Sequence, residues 1–201
     1  MKNPVKQRPA PGKYHSANWD GVTPRLAQDI AEALALKKWP LVIHGPTGVG
    51  KSYAMCCLYR SFKVPQNRPA SVLWYGAGDL LTNIVSCRTS PTGSITLRLP
   101  DGNTSEQFEG NFMSKIERAA LLCLEDVGVI SPTSARLEIF KKIIDLREDK
   151  PLIMDMNLEP EQFIDAFDER TYSRIFSGAV VTAEGEDRRF EWRDMDQGKA
   201  V

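Results

Sequence analysis

Gly45, Pro46, Thr47, Gly48, Val49, Gly50, Lys51 and Ser52 satisfy the spacing G-x-x-x-x-G-K-[ST]. Each residue type has a mechanical reason to be there. Glycine lacks a Cβ, so the backbone can turn tightly and bring its N–H groups against phosphate oxygens. The first N–H groups of a following helix have no intrahelical partner and lie at the positive end of its dipole, which makes them an anion site. Lys51 would reach the β- and γ-phosphates of a bound ATP or GTP, and the Ser52 hydroxyl would hold Mg²⁺.

Phosphoryl transfer needs positioning and charge neutralisation more than covalent chemistry, so the remaining parts to seek are an acid, a water-orienting group and a cation. Leu121-Leu-Cys-Leu-Glu125-Asp126 is an apolar run ending in two acids, which could hold the metal through water and polarise the attacking water. Asn157 closes the apolar run Pro151–Met156 and could hydrogen-bond the γ-phosphate or that water. Arg170 and Arg174 are one helical turn apart, on one face of a helix. Taken alone, they read as surface salt-bridge partners of Glu169 or Asp165. Supplied in trans to a neighbour's γ-phosphate, an arginine is worth roughly 10³–10⁵ in rate.

These residues need a frame to hold them. Leu41–His44 reads as a buried strand and Lys51 to Phe62 as a helix, so the glycine-rich segment is a strand–loop–helix turn. Thr23 as cap and Pro24 at the first helical position begin an earlier helix with Leu26, Ile30, Ala33 and Leu34 on one face. Ser71–Tyr75 reads as a strand and Gly78–Val85 as a short helix. Ser94–Leu99 alternates before the turn signal Pro100-Asp-Gly-Asn103, which predicts a hairpin insertion over 90–105. A helix over Phe108–Arg118 leads into the strand at 119–124. A helix follows over Ser134–Leu146, then a strand over Pro151–Met156. One helix over Glu161–Phe176 and a last strand at Ala179–Thr182 complete the pattern. Strands alternating with helices predict a parallel sheet covered on both faces. Ligands of such sheets bind beyond the strand C-termini, where the glycine-rich loop, Glu125-Asp126 and Asn157 all fall.

With 201 residues the chain is long enough for one α/β domain with a full core. The 26 Lys/Arg and 26 Asp/Glu balance, so no global field draws it to nucleic acid or to an anionic membrane. The charge is uneven, however: residues 1–70 carry 11 basic and 3 acidic side chains. That asymmetry fits either a basic contact surface or a solvated tail. Four cysteines without C-x-x-C spacing, and two histidines, argue against a zinc site and a disulfide framework. No apolar run approaches the ~18 residues of a membrane span and no signal-like segment opens the chain, which implies a cytoplasmic protein.

Together these motifs resemble those of an AAA+ ATPase, and within that class the chain is similar to the DnaC/IstB family of helicase loaders and transposition helper ATPases. The matching stretches are Gly45–Ser52, Leu121-Leu-Cys-Leu-Glu-Asp-Val-Gly128, Pro151-Leu-Ile-Met-Asp-Met-Asn-Leu158 and Asp168-Glu-Arg-Thr-Tyr-Ser-Arg-Ile175, in family order. The resemblance implies a P-loop NTPase of AAA+ type: a three-layer sandwich around a central parallel sheet, without a C-terminal helical lid. It implies ATP and Mg²⁺ as cofactors. Lys51 and Ser52 become Walker A, Glu125 and Asp126 Walker B, Asn157 sensor 1 and Arg174 the arginine finger, with Arg170 as second choice. Where the family carries Asp-Asp or Asp-Glu, this chain has Glu125-Asp126.

The expected organisation is a flexible basic tail at 1–14, an ATPase domain at 15–183 and a polar tail at 184–201. The family implies a homo-oligomeric ring or spiral engaging single-stranded DNA or a replicative helicase. The alternatives are a transposition helper acting with duplex DNA and a transposase, and a nucleotide-gated binding module with negligible turnover. A nucleoside kinase is disfavoured because nothing reads as an acceptor-binding lid.

Overall fold

The computed structural model describes residue 14 and residues 16–64, 71–98, 102–129 and 133–188. The expected tail at 1–14 (Tyr14 apart), most of the turn at Val64–Pro69 and residues 189–201 of the polar tail lie outside these. Five parallel strands form the central sheet: β1 (Leu41–His44), β2 (Val72–Gly76), β5 (Leu121–Glu125), β6 (Leu152–Met156) and β7 (Ala179–Thr182). Their spatial order is β2-β5-β6-β1-β7. Every pairing in this sheet is parallel, with Leu41 opposite Ile153 and Ala179, and Gly76 opposite Glu125.

The period of 2 along each strand divides the core into two layers. Leu41, Ile43, Leu121, Cys123, Ile153 and Val181 pack against α1 (Pro24–Ala35) and α2 (Lys51–Ser61). Val42, Leu122, Leu124, Leu152, Met154 and Met156 face the other way. There they meet α3 (Ala77–Thr89), α4 (Glu109–Arg118), α5 (Ser134–Leu146), α6 (Pro160–Phe167) and α7 (Glu169–Phe176). The result is the expected three-layer sandwich. Among the described residues no helix follows β7.

Two elements differ from the sequence expectation. The helix expected over Glu161–Phe176 is two helices, α6 and α7, broken at Asp168 (φ +129°). The Asp168 side chain accepts the Thr171 N–H at 2.7 Å and so caps α7. The break is hidden in the sequence because Phe163, Phe167, Thr171 and Ile175 are all buried at an unbroken spacing of four. The hairpin is longer than 90–105: β3 (Ser94–Arg98) pairs antiparallel with β4 (Thr104–Phe108), and α4 begins only at Glu109.

The lower end of the sheet is closed by Arg147, 1% exposed. Its guanidinium donates to the carbonyls of Ile116 (3.1 Å), Ala119 (2.8 Å) and Pro151, tying the starts of β5 and β6 to the end of α4. Burial pushes this group down to about 10. Among the described residues no helix is long and apolar enough to cross a membrane.

Candidate nucleotide site at the upper edge of the sheet

β1 delivers the chain into the glycine-rich loop, whose backbone only glycine adopts without strain. Gly45, Gly48 and Gly50 have φ of +147°, +88° and +104°. At Gly45 a Cβ would also overlap the Ala183 carbonyl. Gly50 is the N-cap of α2 and makes no side-chain cap hydrogen bond, and the first turn of the helix turns its N–H groups towards the loop, the geometry of an anion site. Lys51 is buried and donates to the Pro46 carbonyl at 2.6 Å, folded back over the loop it would share with phosphates.

The acids and Asn157 arrive from neighbouring strands. Glu125 ends β5, 8% exposed, and accepts from the Tyr14 hydroxyl at 2.7 Å and Trp74 Nε1 at 3.3 Å. Tyr14, placed by sequence at the end of a tail, is thus packed on Trp74 at a ring separation of 6.1 Å. Asp126 is exposed, with a left-handed φ of +56°. Asn157 Nδ2 lies 3.4 Å from Thr47 Oγ1 in the loop. On its other side is Gly128, where a Cβ would lie 2.5 Å from Asn157 Oδ1. Lys51, Ser52, Glu125, Asp126 and Asn157 are therefore gathered at one edge.

Sequence reasoning passed over Asp155. It is 0% exposed on β6, points to the α2 side with Ile153, and accepts from the Ser52 hydroxyl through Oδ2 and from the Asp126 N–H through Oδ1 at 2.5 Å. Burial pushes its carboxyl up to about 6, against the opposing pull of these two hydrogen bonds. The available signal was one acid inside the otherwise apolar run Leu152–Met156, at the parity of Glu125 rather than of the opposite face.

Arg170 and Arg174 are elsewhere. Arg174 is ion-paired with Asp145 of α5, not with Glu169 or Asp165, and the two arginines share a small cavity of about 70 Å³ with Lys141 and Asp145. The opposite flank of α7, with Tyr172 and Phe176, faces a cleft of about 560 Å³ beside Gly45 and Pro46. Arg174 also neighbours Trp39, Pro40 and Arg147, at the lower end of the sheet. The arginines are turned away from the loop of their own chain.

The chain after β7 runs back over the loop. Ala183 N–H donates to the His44 carbonyl at 2.7 Å, Arg188 N–H to the Gly48 carbonyl at 3.0 Å, and a Cβ at Gly48 would overlap the Asp187 carboxylate.

A parallel sheet in the order β2-β5-β6-β1-β7, with the glycine-rich loop after its β1 and an acid pair after the next-but-one strand, is a P-loop architecture. The fold is the AAA+ type of P-loop domain. DnaA from Aquifex aeolicus bound to AMPPCP aligns over 88% of this chain and 53% of its own, with 21% identity and a TM-score of 0.62. A DnaA bound to AMPPCP and single-stranded DNA aligns over 88% of this chain and 52% of its own, with 21% identity and a TM-score of 0.62. The DnaC helicase loader aligns over 87% of this chain and 100% of its own, with 16% identity and a TM-score of 0.63. At these identities the likeness establishes the fold. The chain spans about half the length of those DnaA chains. No protein-family model and no curated protein matches it.

Proposed function

We propose that this protein binds and hydrolyses ATP and uses the nucleotide to assemble on DNA or on a replicative helicase, in the manner of a helicase loader. The observation that carries the reading is the convergence, in an AAA+ fold, of an uncapped helix start bearing Lys51 and Ser52 with Glu125, Asp126 and Asn157. The likeness to a nucleotide-bound, single-strand-bound DnaA and to a helicase loader supports the choice of partners.

Oxygen donors suit Mg²⁺, which keeps several waters and takes one or two protein ligands beside substrate phosphates. The hydroxyl of Ser52 and the carboxylates of Asp126 and Glu125 are such donors, and among the described residues no cluster of three or more His, Cys, Asp or Glu is set to cage a metal by itself. The ion, when bound with ATP, would neutralise charge on the β- and γ-phosphates. Lys51 leaves the Pro46 carbonyl for the phosphates, α2 offers the N–H groups of its first turn, and Asn157 orients the γ-phosphate or the attacking water beside Thr47. Asp126, exposed and next to this group, accepts the water's proton. Arg174 serves a neighbouring subunit in trans, which requires it to leave Asp145 on assembly.

ATP turnover measured with and without single- and double-stranded DNA tests this reading. Turnover stimulated by single strands, lost in Lys51→Ala and Arg174→Ala alone but recovered when the two variants are mixed, is the expected result. A wild-type chain that binds no nucleotide would sink it. A second reading, a nucleotide-gated module with negligible turnover, is favoured by the engagement of both Glu125 oxygens with Tyr14 and Trp74. ATP-dependent assembly without hydrolysis would select it.

A further inference from the structure

We propose that Asp155, and not Glu125, is the carboxylate that sets Ser52 for the metal-bound nucleotide, and that it positions Asp126 at the same time. The inference rests on the reading of Gly45–Ser52 as an ATP loop, and it assigns the work of the missing Asp-first acid pair to the neighbouring strand.

Three observations lead there. Asp155 is wholly buried between apolar neighbours on β6, and an acid held there is costly unless its oxygens are satisfied. Both are satisfied by groups of the candidate site: Ser52 Oγ–H on Oδ2 and Asp126 N–H on Oδ1, residues brought together across 103 and 29 positions of sequence. Glu125, on the same face of the sheet, turns its two oxygens to Tyr14 and Trp74.

The hydroxyl of Ser52 has one proton and two lone pairs. Giving the proton to Asp155 leaves the lone pairs aimed away from the strand, the orientation a metal ligand needs. A partner that orients a ligand from behind tunes metal affinity without touching the metal. Through Oδ1 the same carboxylate holds the Asp126 N–H, and with it the left-handed backbone that an aspartate does not adopt freely. One buried side chain thus fixes both the P-loop hydroxyl and the exposed acid beside it. Asp155 is a positioning residue: it acts through Ser52 and Asp126.

Asp155→Asn separates this role from a merely structural one. An amide puts an NH₂ donor in place of one of the two oxygens, so at these positions it cannot accept from Ser52 on one side and Asp126 on the other. A fluorescent ATP analogue is titrated into the full chain with EDTA and with Mg²⁺, for wild type, Asp155→Asn, Ser52→Ala and the double variant. The expected result for Asp155→Asn is metal-free affinity within about twofold of wild type and a gain from Mg²⁺ reduced roughly 10–100-fold, and the double variant loses less than the sum of the two single losses, the excess over Ser52→Ala being the share that acts through Asp126. Should Asp155→Asn not fold, Asp155→Ser is measured in its place, with the same loss expected. A wild-type gain from Mg²⁺ in the folded variant, or additive losses in the double variant, overturns the proposal. If the wild type binds no nucleotide, the ATP reading fails first, and that outcome is distinct from a wild-type site that binds Mg²⁺–ATP and ignores the change at Asp155.

Discussion

Among the described residues two acidic or basic side chains, Arg147 and Asp155, are at most 1% exposed, at opposite ends of the same pair of strands. Arg147 at the lower end of β5 and β6 is held by three main-chain carbonyls, while Asp155 at the upper end of β6 is held by one hydroxyl and one N–H. Both are shifted towards neutrality by burial. They differ in what their partners are otherwise for. The carbonyls at Ile116, Ala119 and Pro151 lie at the end of α4 and just before β5 and β6. Ser52 and Asp126 are groups a bound nucleotide would recruit. A buried charge satisfied by backbone alone marks a structural end of the sheet; one that shares a loop hydroxyl marks the end where the candidate site lies.

The sharpest way to break that contrast is at Arg147. Arg147→Ala should cost about 3–5 kcal/mol in urea unfolding, because two buried carbonyls and the half-buried one of Pro151 lose their donor and a cavity opens. Nucleotide affinity of the folded fraction should be unchanged; a loss of affinity would show that the two ends are not independent.

Two glycines repeat the comparison on a smaller scale. At the lower end a Cβ on Gly178 would overlap the backbone of Trp39 and Pro40, which cannot step aside, so Gly178→Ala should lose about 2–3 kcal/mol. At the upper end a Cβ on Gly128 meets the Asn157 and Leu158 side chains, which can move. Gly128→Ala should then lose less than about 1 kcal/mol, while ATP turnover falls as Asn157 shifts. Equal stability losses would erase the distinction.

A weaker effect is the pH dependence of Asp155. Its folded value, raised to about 6, exceeds that of the unfolded chain, so the folded state holds the extra proton. The resulting stability is complete below about pH 4 and is lost as pH rises through about 6. Unfolding of wild type and Asp155→Asn compared over that window should show a downward slope present only in the wild type.

The smallest effect is at the thiols. All four cysteines are buried, and burial pushes Cys56 up to about 11 and Cys57 up to about 12. A thiol reagent at pH 8 should label none of them in the folded chain and all after unfolding. Fast labelling of Cys56 or Cys57, next to the candidate loop on α2, would show that the upper end opens more readily than the lower.

Much of the frame was legible because its signals are local. The glycines of the loop, the short apolar runs of β1 and β5 and the Thr23-Pro24 start of α1 each report a backbone requirement met by residues close in sequence. Thr23 does cap α1, accepting the Leu26 N–H at 3.4 Å. Where local signals conflict, the reading failed: the spacing of Phe163, Phe167, Thr171 and Ile175 concealed the cap at Asp168. The packing of Tyr14 on Trp74 and Glu125 was invisible because nothing within the basic, proline-rich segment before it points to a distant ring.

By itself the sequence determined the strand–loop–helix turn, the apolar faces and the acid pair at Glu125-Asp126, since periodicity and glycine content act through neighbouring residues. Only the tertiary structure decided which acid meets Ser52. That contact depends on β6 lying between β5 and β1, an order set by crossover connections through whole helices. The same order put Arg147 beneath the sheet and turned Arg174 away from its own loop. A charge's surroundings, unlike its secondary structure, are supplied by residues far along the chain.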